Sequence, residues 1–388
     1  MSIQTKGSSE PQFFNAVGLR HPTDSERRVL GTIVRGGVIG QSALARATGL
    51  AQQSISRLVK GLVSKGVVAE GDRMLSGKRG QPGVALRLVP EFAYTLGISM
   101  KTDAISVAIM DFSGSVIDED HCDLPAMTRN AVLDQAEAVI TQMVTSHGID
   151  SQRIFGMGVS ISGRQIGPGA IYNTPHALDD WALVAVDRLF EERFEMPVWV
   201  ENDGNAAAVG ESLVGIGRIY DNFAYLYIDT LLGGGIIINH ELMRGCNGNG
   251  GEIGLLLPKN IYQHPSLESL RQTLGEYGNH FAEVSTMIKH FDGDWEGIEP
   301  WITKTRSSFS LITSALAAIL DPEAIVLGGR MPPALARRVI PHIDIYNDSR
   351  RGKPRALPRL LISKAGGDAS AIGAASLPFK EHFFAAAA

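Results

Sequence analysis

The sequence contains little cysteine, no long apolar run and no apolar segment near its first residue. Cys122 and Cys246 are the only cysteines among 388 residues and lie far apart, which argues against a disulfide framework and indicates a reducing cytoplasm. No apolar run approaches the roughly 18–20 residues of a membrane span, and the polar first residues lack the apolar stretch of a signal peptide. These absences predict a cytoplasmic protein that does not associate with a membrane.

The composition is that of a globular protein with ample material for a core, since 44% of residues are hydrophobic and 20% are charged. A chain of 388 residues suits two or three domains. The net charge of −5 is unevenly spread: residues 1–88 hold 13 Lys and Arg against 5 Asp and Glu, and the remainder is acidic. A basic block in front of an acidic body suggests a nucleic-acid-binding module joined to a body with a different task.

The basic block contains a strong helix-turn-helix pattern. Residues 1–22 are polar without a clear period and are predicted to be a flexible arm, and residues 23–90 are predicted to form a winged helix-turn-helix domain. Gly49 supplies the tight turn between two helices, and Leu50 and Ile55 contribute to their shared core. The polar face of the second helix can hydrogen-bond to base edges or phosphates through Gln52, Gln53, Ser54, Ser56, Arg57 and Lys60.

A predicted hairpin after these helices has a basic tip rich in glycine and proline. In that tip, Arg79 can enter a minor groove and Lys78 can contact phosphate, as in a DNA-binding wing. A solvated loop is the alternative for the tip alone, and an ordinary helical bundle is the alternative for the helices. Wing and helices together predict operator DNA as a partner.

From residue 94 the pattern changes to alternating strands and helices. Three predicted strands, a helix, a strand and a helix are followed, from residue 222, by a second series of the same kind. Two similar halves predict a duplicated α/β body over residues 91–388, with a cleft between lobes at approximately 91–210 and 211–388.

One turn of this body resembles a phosphate-binding loop but carries side chains that oppose phosphate. It reads Asp229-Thr230-Leu231-Leu232-Gly233-Gly234-Gly235. Glycine lets backbone N–H groups approach an anion closely, whereas the carboxylate of Asp229 repels phosphate and the side chain of Leu231 blocks its approach. The turn therefore predicts a body with the frame of a kinase that binds a ligand without phosphorylating it.

Three stretches of the body resemble the ROK family, which contains bacterial repressors and sugar kinases on an actin-like, ribonuclease-H-like ATPase fold. They are residues 201–211, the glycine-rich residues 233–236 together with 245–254, and residues 321–329. A winged helix-turn-helix in front of such a body is the arrangement of the repressor branch. The resemblance implies a transcriptional regulator, most simply a repressor, that forms a dimer or tetramer and responds to a sugar, a polyol or a sugar derivative.

The same resemblance implies that the sugar side of the cleft is largely intact. In kinase members the aspartate at the position of Asp203 takes a proton from a sugar hydroxyl, and here a vestigial base that only binds the hydroxyl is expected. The structural alternatives are a strand-end turn with a capping aspartate at residues 202–203 and a helix N-terminal acid at Glu252. The ligand-binding residues implied by the resemblance are Ser162, Gly163, Asn173, Asn202, Asp203, Glu252 and Glu268.

The nucleotide side departs from the kinase pattern in two places. Kinase members have an aspartate followed by Gly-Gly-Thr in their first hairpin, whereas this chain has Ser99 at the position of the acid and Lys101 at that of the first glycine. The second departure is the turn with Asp229 and Leu231. Because phosphoryl transfer depends on positioning phosphates and metal, neither catalysis nor a cofactor is expected. The alternative is a sugar kinase, with Asp203 as base, that carries an accessory DNA-binding domain.

The zinc site usual in the family is not supported by the sequence. Leu255 stands at the position of the histidine that follows Gly-Glu-Ile-Gly, and residues 256–266 contain no cysteine. His264 alone cannot make a tetrahedral site, so no metal is expected. Leu255 also replaces a histidine that contacts sugar in relatives, which leaves the identity of the ligand open.

Overall fold

The structure, a computed structural model, describes residues 12–74, 83–348 and 351–385. They form an N-terminal domain and a body with two five-stranded sheets, one in each lobe. Within these residues, no helix is both long and apolar enough to cross a membrane.

The N-terminal domain is a winged helix-turn-helix, with a small sheet of strand order β1-β3-β2 packed beside its helices. Thr23 and Glu26 form a capping box at the start of α2, and Gly49, at a φ of 66°, makes the turn between α3 and α4. The elements are α1 (Gln12–Ala16), α2 (Asp24–Gly36), β1 (Ile39–Gly40), α3 (Gln41–Thr48), α4 (Gln52–Ser64), β2 (Val68–Met74) and β3 (Gly83–Leu88).

Residues 12–22 differ from the flexible arm expected for residues 1–22. Phe13 and Phe14 of α1 are buried, and their rings lie 5.4 Å and 5.7 Å from the ring of Phe155 in the body. Two adjacent phenylalanines have a large apolar area, and exposing this area to water would cost free energy. Their burial anchors the segment to the body, although its sequence shows no helical period. Residues 1–11 lie outside the described part of the chain.

The first lobe is built on a sheet of order β10-β7-β4-β5-β6, in which β4 pairs parallel with β7 and antiparallel with β5. Its elements are β4 (Tyr94–Met100), β5 (Ala104–Asp111), β6 (Val116–Asp123), α5 (Arg129–Ser146), β7 (Ile154–Ile161), β8 (Arg164–Gln165), β9 (Tyr172–Asn173), α6 (Val186–Phe194) and β10 (Val198–Asn202).

The second lobe repeats this plan with a sheet of order β13-β12-β11-β14-β15. It is entered through α7 (Asp203–Val214) and left through the C-terminal helix α12 (Ala369–His382). Between them lie β11 (Phe223–Ile228), β12 (Leu232–Ile238), β13 (Glu241–Leu242), α8 (Leu267–Glu276), α9 (Val284–Lys289), α10 (Ile298–Leu320), β14 (Ala324–Gly329), α11 (Pro333–Val339) and β15 (Arg359–Ile362).

Helices α7 and α12 cross between the lobes. Helix α7 packs on β12 of the second lobe, α12 packs on β4 and β7 of the first lobe, and the two helices pack on each other. The approach is close because glycines line it: a Cβ on Gly158 would lie 1.8 Å from the carbonyl oxygen of Ala374, and one on Gly210 would lie 2.9 Å from Gly373. The lobe division near residue 210 stays a prediction, to which the structure adds that α12 returns to pack on the first lobe.

The glycine run of the expected phosphate loop is a strand. Gly233, Gly234 and Gly235 belong to β12 and pair with β11, so only residues 229–231 make the turn. A Cβ on Gly235 would lie 2.6 Å from the Cβ of Ala208 in α7. These glycines therefore admit a neighbouring helix, which explains their presence without any phosphate.

The N-terminal domain shares one hydrophobic core with the body. Leu30 and Ile33 of α2 are buried in the same cluster as Phe112 and Phe379 of the body. The guanidinium of Arg27 donates to the carbonyl oxygen of Glu381 at 2.8 Å, at the end of α12. The N-terminal domain is thus seated on the C-terminal helix.

Candidate DNA-binding surface and ligand cleft

Helix α4 presents a polar face to solvent and an apolar face to the domain core. Ile55, Val59 and Leu62 are buried, because they recur at helical spacing on one side of α4. On the opposite side Ser54 is half-buried, and the exposed residues are Gln52, Gln53, Ser56, Arg57 and Lys60. These side chains do not pack in the domain core and are available for contacts with DNA, as expected of a recognition helix.

Lys78 and Arg79, the residues expected at the tip of the wing, lie outside the described residues. The strands on either side of them are described, and β2 and β3 pair up to Met74 and Gly83. The contribution of the tip to DNA binding therefore stays a prediction.

Asn202 ends β10 and caps α7. Its side-chain oxygen accepts from the backbone N–H groups of Gly204 at 2.9 Å and Asn205 at 3.3 Å, and its amide nitrogen donates to the carbonyl oxygen of Gly163 at 2.9 Å. The capping role considered for Asp203 thus falls to Asn202. These bonds make Asn202 a residue that positions the site.

Asp203, the first residue of α7, projects a half-buried carboxyl into the cleft. The hydroxyl of Ser162 donates to it, and so does the backbone N–H of Gly204 at 2.8 Å. Burial raises the pKa of Asp203 to about 7; the Ser162 hydrogen bond opposes the rise, and the nearby carboxylates of Asp229 and Glu252 add to it. A group with this pKa exchanges a proton near neutral pH.

Glu252 and the Ser162–Gly163 turn are the other residues expected on the sugar side. Burial raises the pKa of Glu252, with Arg164 opposing the rise. Gly163 has a φ of 142°, and a Cβ there would lie 2.7 Å from the backbone oxygen of Asn173. The backbone of Asn173 therefore lies against the turn, while the residue itself is exposed. The structure brings together six of the seven residues expected to bind ligand.

Glu268, the seventh, is directed elsewhere. Its carboxylate accepts hydrogen bonds from Arg271 at 2.7 Å and 2.8 Å and from Gln272 at 2.8 Å, all within α8. These hydrogen bonds, first that of Arg271, lower the pKa of Glu268. That Glu268 closes the pocket stays a prediction, and it requires these two partners, one helical turn away, to release its carboxylate.

The nucleotide side of the cleft holds buried, paired charges. Arg330 forms ion pairs with Asp229 at 2.5 Å and with Asp103 at 3.1 Å, and it donates to the hydroxyl of Thr230 at 3.0 Å. The side chains of Asp103, Asp229 and Arg330 are 9–11% exposed. We call these three residues with Thr230 the charged cluster.

Electrostatics within the charged cluster favour ionised groups. Burial alone would raise the pKa of Asp229, but the charges of Arg330 and Lys101 outweigh burial and lower it. Lys101 is itself buried, donates to the hydroxyl of Ser106 at 2.9 Å and pairs with Asp368, the N-cap of α12. A phosphate at this place would be repelled by the carboxylates, and the cations beside them already form ion pairs.

Arg330, Asp103 and Asp368 were missed by sequence reasoning. Arg330 follows Gly328 and Gly329 directly at the end of β14, where a charged residue is unremarkable. Its partner Asp103 is 227 positions away, so only the fold brings the two together. A weak signal was available, since Lys101 stands at the position of the first glycine of the first hairpin.

Within the described ranges, no group of three or more His, Cys, Asp or Glu side chains could hold a metal ion. His264, the one histidine of the loop after Leu255, hydrogen-bonds to the carbonyl oxygen of Leu257 at 2.7 Å. Leu255, which stands at the position of a histidine that contacts sugar in relatives, is 65% exposed.

Comparison with known proteins identifies both parts of the chain. The ROK family matches residues 95–381, and the MarR family matches residues 22–73. Protein y4fQ of Sinorhizobium fredii is 29% identical over 371 residues, which cover 94% of this chain and 92% of that protein. The xylose repressor of Bacillus spizizenii is 30% identical over 235 residues, and the match spans 59% of each chain.

A solved structure supports the fold over nearly the whole chain. The ROK family transcriptional regulator described as a homologue of the E. coli MLC protein superposes with a TM-score of 0.59 at 18% identity, covering 95% of both chains. At this identity the likeness concerns the fold, which combines a winged helix-turn-helix with a two-lobed, actin-like body.

Proposed function

Because the chain belongs to the ROK family and carries a winged helix-turn-helix in front of the ROK body, we propose that it is a transcriptional repressor controlled by a ligand in its cleft. The observation that carries the proposal is the hydrophobic core that joins the domain of α4, with its exposed polar face, to the body that contains Asp203 and Glu252. Binding in the cleft would alter the position of the recognition helices and hence operator affinity.

The proposed ligand is a sugar, a polyol or a sugar derivative. Asp203 and Glu252 can accept hydrogen bonds from ligand hydroxyls, and Ser162 lies beside them to fix the orientation. A relative is named a xylose repressor, which supports a small carbohydrate. Exposed Leu255 favours a ligand with an apolar edge on that side.

We propose further that the body does not phosphorylate its ligand. Asp229 and Asp103, which stand in the segments that resemble kinase phosphate motifs, are both held by Arg330. Phosphate oxygens need free donors and a metal in that place. This arrangement supports a binding protein rather than an enzyme.

A ligand screen followed by an operator assay tests the proposal. Thermal unfolding is measured with a panel of sugars and polyols, and each compound that raises the midpoint is then added to a gel shift with DNA from the protein's own promoter region. We expect at least one compound to stabilise the protein and to change operator affinity by about 5–150-fold. If no compound stabilises it, a DNA-binding or scaffold protein without an effector becomes the better description.

A sugar kinase with an accessory DNA-binding domain is the second candidate. The pKa of Asp203 near 7 favours it, since a general base works best near the operating pH. A coupled ATPase assay across the same panel decides between the two. Sugar-dependent turnover that Asp203→Asn abolishes would establish the kinase and overturn the repressor-only description.

We propose operator DNA and a second copy of the chain as partners, in a dimer or tetramer that would place two recognition helices on two half-sites. Light scattering of the purified protein measures the oligomeric state. For the wing, replacing Lys78 and Arg79 together by alanine should weaken operator binding and flatten its salt dependence by up to about two phosphate contacts. An unchanged salt slope would remove the wing from the proposal.

A further inference from the structure

The two lobes meet on the nucleotide side through opposite charges. Asp103 lies in the turn between β4 and β5 of the first lobe, whereas Arg330 and Asp229 follow β14 and β11 of the second lobe. The ion pair from Arg330 to Asp103 at 3.1 Å therefore crosses the cleft, while the pair to Asp229 stays within the second lobe.

Weaker contacts reinforce this crossing. The carboxylate of Asp103 also accepts from the backbone N–H of Ser285, at the start of α9, at 3.3 Å. The hydroxyl of Thr102 donates to that of Thr230 at 3.4 Å. The side chains of both Thr102 and Asp103, in the β4–β5 turn, thus bind groups of the second lobe.

We propose that the charged cluster is an internal clamp that holds the two lobes together without any nucleotide. The guanidinium of Arg330 lies between the carboxylates of Asp103 and Asp229. Its positive charge therefore bridges a negative group of each lobe. Burial strengthens such pairs because water is excluded and screening by salt is weak. The clamp sets the resting angle of the cleft.

The clamp is connected to the DNA-binding domain through α12. Lys101, in the same turn as Asp103, pairs with Asp368, which caps α12 by accepting from Ser370 and Ala371 at 3.1 Å. At the other end of α12, Phe379 and Phe383 lie in the core that holds the DNA-binding domain.

The same domain also lies near the second lobe. Burial lowers the pKa of Arg35 of α2, and the nearby charges of Asp221 and Glu241 oppose this decrease. Leu30 and Val34 of α2 share a core with Leu213 at the end of α7. A domain that contacts parts of both lobes is displaced when the lobes rotate, so release of the clamp changes its position.

Asp103→Asn is the variant that tests the clamp. It removes the charge contributed by the first lobe and leaves the Arg330–Asp229 pair intact. Hydrogen exchange of the full-length protein, without ligand or DNA, is followed in the β4–β5 turn and at the start of α9. We expect exchange in both segments to become about tenfold faster or more. The matched control, Asp134→Asn, breaks an exposed pair with Arg193 inside the first lobe and should leave both segments unchanged.

Unchanged exchange in both segments of the Asp103→Asn protein would overturn the clamp. If that variant does not fold, Thr102→Val replaces it, since this change removes a contact across the cleft without stranding a charge; a smaller increase in the same two segments is expected, and none would overturn the proposal.

The regulatory consequence rests on the proposed function and is measured separately. Operator affinity of Asp103→Asn should differ from that of the unaltered protein by about 5-fold or more. An unchanged affinity in a variant whose cleft exchanges faster would overturn the link to DNA. If the unaltered protein binds no operator, the proposed function fails, while the exchange measurement still decides the clamp.

Discussion

The two sides of the cleft treat their acidic residues in opposite ways. On the nucleotide side, Asp103 and Asp229 both form ion pairs with Arg330, and the pKa of Asp229 is lowered. On the sugar side, Asp203 and Glu252 form no ion pair within the described residues, and the pKa of each is raised. A carboxyl without an internal cation can gain from a hydroxyl donor, whereas a paired one has little to gain. The difference explains why one side suits a ligand and the other suits a contact between lobes.

Removing the cation of the paired side gives the largest expected effect. Arg330→Met leaves the buried carboxylates of Asp103 and Asp229 without their ion-pair partner, so we expect the free energy of unfolding to fall by about 3–5 kcal/mol. Urea unfolding followed by circular dichroism measures it.

Lys304→Met is the matched control for this variant. Lys304 pairs with Glu276 on the surface, and its loss should cost at most about 1 kcal/mol. Equal losses for the two variants would show that the charged cluster is no more than a surface network.

Removing the carboxyl of the unpaired side should affect ligand binding instead. Asp203→Asn keeps the size of the side chain but loses the charged acceptor, a contact worth about 1.5–3 kcal/mol, or about 10–100-fold in affinity. Titration calorimetry with a compound from the ligand screen measures the loss. Asp134→Asn, a charge removal far from the cleft, serves as control. Equal affinity in all three proteins would place the ligand elsewhere.

The unpaired side also predicts a pH dependence of stability. The pKa of Asp203 is 3.8 when unperturbed and about 7 in the folded protein, so between these values the folded state holds a proton that the unfolded state has released. Stability contributed by this group is present below about pH 4 and is lost as pH rises through 7. Compared with Asp203→Asn, the unaltered protein should therefore lose about 1–2 kcal/mol between pH 5 and pH 8. Parallel unfolding curves for the two proteins would contradict the raised pKa.

The sequence was sufficient for the parts of the fold with a local cause. The turn at Gly49 and the buried face of α4 follow from residue type and helical spacing, and both occur in the structure. The glycines of β12 were misread, because a run of glycines serves close helix packing as well as phosphate binding, and local sequence does not distinguish the two. The pairing of Arg330 with Asp103 could not be predicted from local sequence, because the two residues are 227 positions apart and only the fold brings them together.

The candidate site divides in the same manner. Resemblance pointed to Asp203 and Glu252, and in the structure Glu252 lies near enough to Asp203 for its charge to raise the pKa of Asp203. It also pointed to Glu268, whose carboxylate is held by Arg271 and Gln272. The rotamer and hydrogen-bond partners of Glu268 depend on neighbouring side chains one helical turn away. A family pattern that matches a single position carries no information about those neighbours.

Substitution of Glu268 should therefore have the smallest effect on ligand affinity. It also distinguishes the role that the family resemblance implies for Glu268 from the pairing seen in the structure. Glu268→Gln should change ligand affinity by no more than about twofold, as for a substitution outside the site, because Arg271 already holds its carboxylate. Calorimetry with the compound used for Asp203→Asn makes the measurements comparable. A loss as large as that of Asp203→Asn would show that Glu268 leaves Arg271 when ligand enters. The sugar side would then contain a carboxylate that is paired at rest and released on binding, and the contrast between the two sides would hold only for the empty cleft.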